Sequence, residues 1–202
     1  LLDRAGVAID EISERAAAAL SETVTPQGLI AVCARVDVDF AGVLAKQPRL
    51  VAALVESNDP GNAGTVLRTA DAAGADAVVV AGGVDIYNGK AVRASAGSLF
   101  HLDLVLVPSI EQLLPEAQRA GLRVLAATGS AVRSLDDLEQ DGALAWPSMW
   151  LFGSEAHGLP ESVIAAADED VRVPIHGSAE SLNLAAAAAV CLYASAREQR
   201  RR

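Results

Sequence analysis

The chain has 202 residues, 51% of them hydrophobic and 21% charged, with a mean hydropathy of +0.29; this excludes a disordered chain and suffices for one sizeable core. Sixteen lysines and arginines against 26 acidic residues leave a net charge of −10, which argues against a protein that coats a nucleic-acid duplex by charge alone. The longest apolar run, Leu184 to Ala194, falls well short of the roughly 20 residues that a spanning helix needs, so no membrane partner is expected.

The chain opens Leu-Leu-Asp-Arg, with neither the apolar core of a secretory leader nor an initiator Met, and an upstream segment is expected. Gly6 to Ile9 reads as a short strand, Ser13 to Leu20 as a helix capped by Ser13, and Gly28 to Ala34 as a buried strand after the Pro26-Gln27-Gly28 turn. Asp37 to Pro48 reads as a linker. The segment 1–46 is too small to be a domain. Cys33 and Cys191 lie far apart without a CxxC pair or a nearby histidine. The expectation is a cytoplasmic protein with two buried, reduced thiols and no metal site.

From Leu50 onward, segment 47–202, strands and helices alternate. Strands are expected at Leu50–Glu56, Ala77–Ala81, Leu104–Val107, Leu122–Ala127, Trp150–Gly153 and Val171–Pro174. Helices are expected at Asn62–Ala73 with Gly74 just past its end, Lys90–Ser95, Ile110–Ala120, Pro160–Ala167 and Ser181–Arg200. Near-continuous apolar strands between amphipathic helices imply an α/β fold, a parallel sheet with helices on both faces.

In such a sheet ligands sit where the carboxyl ends of strands enter helices. Three loops there stand out. Glu56 to Arg68 carries Pro60, two glycines and Asn62, with Arg68 nearly two turns further along the helix; the plain alternative is a βα turn with a solvated arginine. Trp150 to Pro160 carries Gly153, Glu155, His157 and Gly158. It lacks both the GxSxG of a nucleophile elbow and the histidine spacing of a metal site. Val171 to Ala187 carries Val173-Pro174 and Ser181-Leu182-Asn183. Ser181 suits an N-cap, whereas Asn183 is a poor helix former whose amide is expected to be used. The alternative for this loop is a helix packed in a tight core.

Taken together, Asn62-x5-Arg68, then Leu151-Phe-Gly153-x-Glu155-x-x-Gly158-Leu159, then Val173-Pro174 with Ser181-Leu182-Asn183-x3-Ala187, resemble the three motifs of the SpoU/TrmH class of SPOUT RNA methyltransferases. Ile175 stands where Met is common and Leu184 where Val is common. The resemblance implies a C-terminal trefoil knot, a homodimer, S-adenosylmethionine as cofactor and methylation of a ribose 2′-hydroxyl in structured RNA, rRNA first and tRNA as the alternative. It also implies that residues 1–46 are the end of an N-terminal RNA-binding domain. By the same resemblance Asn62, Arg68, Glu155, Ser181 and Asn183 are catalytic, with Glu155 holding Arg68. The cofactor is expected against Thr128, Gly153, Val173, Ile175 and Leu182, with Arg68 completing the second subunit's site. Two other classes remain open at this point: a nucleotide-binding oxidoreductase, disfavoured by the absence of GxGxxG, and a non-catalytic RNA-binding relative.

Overall fold

The computed structural model describes residues 8–21 and 28–201, which divide into two compact units at Arg35/Val36. In the first unit, α1 spans Glu14–Leu20, and Ser13 caps it by accepting a bond from the Ala16 amide at 3.2 Å. The strand expected over Gly28–Ala34 is absent: these residues are irregular, and Leu29 and Val32 are exposed. An apolar run makes a strand only against a partner, and none is present among the described residues. Half of the strand expected at Gly6–Ile9 lies outside the described residues, and Ala8 and Ile9 are irregular.

The second unit is a six-stranded, wholly parallel sheet. Its strands are β1 (Leu50–Val55), β2 (Ala77–Ala81), β3 (Asp103–Val107), β4 (Arg123–Ala127), β5 (Ser148–Phe152) and β6 (Glu169–Val171), in the spatial order β3-β2-β1-β5-β4-β6. Its helices are α2 (Phe40–Ala45), α3 (Pro60–Ala73), α4 (Gly89–Ala94), α5 (Leu114–Arg119), α6 (Leu135–Gln140), α7 (Glu161–Ala166) and α8 (Leu184–Arg200). The stretch expected as a linker, Asp37–Pro48, therefore contains α2. Asp39 caps this helix, while Phe40 and Val43 drive it onto the sheet.

Alternation along each strand builds two cores. Leu50, Leu54, Trp150 and Phe152 face α3, α4, α6 and α8, whereas Val51, Val55, Met149 and Leu151 face α2, α5 and α7. Burying each large side chain contributes about 1.5–3 kcal/mol. The inner strands β1, β2 and β5 are buried along their whole length, as a sheet covered on both faces requires. Trp150 donates its indole N–H to Ser195 of α8 at 2.9 Å, so that helix is tied into the core by a satisfied polar group. At its far end Arg200 donates to the Ala73 carbonyl and Gln199 to the carbonyls of Arg49 and Trp146. The paired carboxyl ends of β1, β5 and β4 all face one side. The loops that follow β1, β4, β5 and β6 gather there.

Candidate active site

A cavity of about 720 Å³ opens at that edge. Ala127, Thr128 and Gly129 line it after β4, Phe152, Gly153 and Glu155 after β5, and Val173, Ile175, Ser181, Leu182 and Asn183 between β6 and α8. The backbone groups of Val173 and Leu182 make no hydrogen bond with the described residues. Unpaired donors and acceptors facing an apolar wall suit a flat heteroaromatic ligand better than a charged one. A Cβ built on Gly129 would meet nothing, so the floor there is bare backbone.

Gly153 has a different task. A Cβ at this position would lie 2.1 Å from the Gly158 carbonyl carbon and 2.3 Å from the Leu159 nitrogen. The loop closes on itself there, with Ser154 and Gly158 exchanging amide–carbonyl bonds of 3.1 and 2.9 Å. Gly158 turns the chain at φ +69°. Gly153 is thus demanded by its own loop before any ligand enters.

The first turns of α3 and α8 and the loop after β5 converge beside the cavity. Asp59 caps α3, its Oδ1 accepting from the Asn62 amide at 2.8 Å, and Pro60 supplies the preset first helical residue. Asn62 donates from Nδ2 to Glu155 Oε1 at 2.5 Å, and its Oδ1 accepts from Asn183 Nδ2 at 3.1 Å. Asn183 Oδ1 in turn accepts from the Ala185 and Ala186 amides at 2.9 and 3.3 Å, which makes Asn183 the N-cap of α8. Ser181, expected as that cap, lies two residues before it, exposed and lining the cavity with no hydrogen bond. A side chain on the residue that flanks the helix reaches its free amides; one two positions earlier does not.

Arg68 lies about 9 Å further along α3 than Asn62. It is exposed, does not line the cavity and has no ion-pair partner among the described residues. Within one chain Glu155 therefore holds Asn62, and the expected Glu155–Arg68 pair is absent. Asp59 and Lys90 were missed as parts of the arrangement. The Asp-Pro pair ahead of a helix was the signal for the first; nothing local marked Lys90, which reaches the site from α4.

One of the two thiols departs from expectation. Cys33 is exposed; Cys191 is buried in α8 against the core, and burial pushes its thiol up to about 12. The described residues include no group of three histidine, cysteine or carboxylate side chains able to hold a metal, and no helix long and apolar enough to cross a membrane.

Comparisons with known proteins agree on one family. The model of the SpoU rRNA Methylase family matches residues 49–193. The chain is 35% identical over 189 residues to the 23S rRNA (guanosine(2553)-2'-O)-methyltransferase RlmP of Bacillus subtilis, covering 93% of this chain and 72% of that protein. It is 38% identical over 164 residues to the 23S rRNA (uridine(2479)-2'-O)-methyltransferase of Streptomyces viridochromogenes, covering 80% of this chain and 54% of that protein. Among solved structures, the SpoU methyltransferase AviRb from Streptomyces viridochromogenes, in complex with the cofactor AdoMet, superposes with a TM-score of 0.74 at 32% identity. That match covers 82% of this chain and 66% of AviRb.

Proposed function

This chain belongs to the SpoU rRNA methylase family, and from that premise we infer that it is an S-adenosylmethionine-dependent RNA methyltransferase acting on a ribose 2′-hydroxyl of rRNA. The observation that carries the reading is the juxtaposition of the cavity with the Asn183–Asn62–Glu155 network, built from the three loops whose motifs mark the family. Relatives named for 23S rRNA favour rRNA over tRNA as substrate.

The cavity fits the cofactor. A volume near 720 Å³ accommodates a nucleoside joined to an amino acid, and Val173, Ile175 and Leu182 offer an apolar wall with free backbone groups for a base edge. Thr128 and Gly153 border the same space. When bound, S-adenosylmethionine supplies an electrophilic methyl group. The protein's share is then orientation and stabilisation of charge. Asn62, Glu155 and Asn183 fix the ends of α3 and α8 around the acceptor ribose, and Ser181 presents a free hydroxyl to it. Arg68 clamps the neighbouring phosphate with its fork and stabilises the alkoxide as the hydroxyl loses its proton. A guanidinium whose pKa exceeds about 12 does not itself accept that proton.

Arg68 stands away from the cavity of its own chain, which supports a homodimer in which Arg68 of the partner subunit completes each site. Ala186, Val190 and Tyr193 leave an exposed stripe along α8 for that contact. The path from edge strand β6 back to α8, which packs on α3, β1 and β5, supports a trefoil knot formed by residues 172–183. The segment up to Arg35 would serve RNA recruitment, and the unit from Val36, which includes α2 against the sheet, would carry catalysis. Titration calorimetry tests the reading. Binding of S-adenosylmethionine with no binding of NAD is expected; the reverse would return the fold to the oxidoreductase alternative.

A further inference from the structure

Lys90 is one of only two lysines beside fourteen arginines, and it sits in the first turn of α4, whose cap is Asn88. Its ammonium lies 3.1 Å from Asp59 Oδ2, while Asp59 Oδ1 is occupied by the Asn62 amide. Its stem crosses the first turn of α3: a Cβ on Gly61 would come within 3.0 Å of Lys90 Cε and 3.3 Å of Nζ. A glycine makes room there for a compact point charge, where a planar guanidinium would need more space. Capping α3 requires only one oxygen of Asp59. The second is held by Lys90, so the carboxylate is fixed in rotation as well as in place. Asn62 is fixed in turn, and its side-chain amide joins Glu155 at 2.5 Å to Asn183 at 3.1 Å.

We propose that Lys90 is a positioning residue: by holding Asp59 it sets the orientation of the Asn62 side-chain amide, which joins the loop after β5 to the cap of α8. The relay runs Lys90–Asp59–Asn62 and then divides to Glu155 and Asn183, so one exposed cation on α4 orders the first turns of both α3 and α8. It touches no reacting atom. The Asp59 carboxyl is held below its usual range by the Asn62 amide first and by Lys90 next, as such a shared grip requires. The proposal rests on the functional reading above only in giving Asn62 its task at the site.

Nuclear magnetic resonance of the Asn62 side-chain amide, in the intact chain, tests the relay without any RNA. In the wild type the Nδ2 proton bonded to Glu155 is expected well downfield of a free carboxamide. Lys90→Met is expected to move it towards the free position with an unchanged melting temperature. Asp59→Asn, which keeps a capping oxygen and loses the charge, is expected to move it likewise, and adding Lys90→Met to Asp59→Asn is expected to move it no further. An unmoved Asn62 resonance in Lys90→Met, or shifts that simply add in the double variant, would overturn the relay. Failure of S-adenosylmethionine to bind the wild type would instead bring down the functional reading and leave the relay intact.

Discussion

Asn183 uses both ends of one amide: its oxygen caps α8 while its nitrogen reaches Asn62. The two roles separate in a single substitution. Asn183→Asp keeps an acceptor for the helix amides, so the melting temperature is expected to stay within a degree or two, but it loses the donor and methyl transfer is expected to fall at least tenfold. Asn183→Ala loses both, with about 1 kcal/mol of stability gone as well. Gly153 separates in the opposite sense. Gly153→Ala would drive a methyl group into the Gly158 backbone and is expected to cost about 1–3 kcal/mol in denaturant unfolding, as overpacking does, whether or not cofactor is present. A Gly153→Ala variant as stable as the wild type would show that the loop relaxes freely. The thiols report at this scale too: a colorimetric thiol reagent is expected to titrate Cys33 in the native chain and Cys191 only after unfolding.

Among the elements, the apolar runs of β1, β2 and β4 were legible because a strand buried on both faces has no polar alternation to blur it. Helix α3 was legible from Gly74, which ends it at φ 72°. The misses share a cause. Helix α6, with three acidic residues in six and a capping box between Ser134 and Asp137, gains its place from Leu135 and Leu138 in the core and from the Leu135 amide, which donates to the Arg172 carbonyl just past β6. The last strand is Glu169–Val171, not the expected Val171–Pro174, because Glu169 is paired at the sheet edge with Arg123 and Arg133. Of the site, the three loops were legible as motifs. The bonds among them were not, since Asn62, Glu155 and Asn183 are brought together only by the sheet order. One test belongs to α8: Ser195→Ala leaves the buried Trp150 N–H without a partner and is expected to cost about 1–3 kcal/mol, visible by tryptophan fluorescence during unfolding.

For the molecule as a whole, the net charge is −10 and most described basic side chains are spent on acidic partners or carbonyls, whereas Arg68 is exposed with no ion-pair partner among the described residues. Asp59, Asp71 and Asp137 all titrate below their ordinary value of 3.8, Asp59 through the Asn62 amide, Asp71 through His101 and Asp137 through Ser134. A carboxyl lowered by folding contributes stability above its unfolded value and loses it as pH falls through the folded one. Cys191, raised from 9.0 to about 12, contributes below 9 and loses that contribution as pH rises towards 12. Melting temperature is therefore expected to be flat near neutrality and to decline below pH 4 and above pH 9. Light scattering is expected to give twice 20.8 kDa; a monomer at micromolar concentration would contradict the shared site.

Methyl transfer to a ribose is tested by the position of the label after incubating the protein with methyl-labelled S-adenosylmethionine and 23S rRNA. Label is expected in dinucleotides that survive alkaline hydrolysis, because a 2′-O-methyl group blocks cleavage beside it, and a loss of at least a hundredfold is expected in Arg68→Ala with cofactor affinity unchanged. Label released on a base, or full transfer by Arg68→Ala, would contradict it.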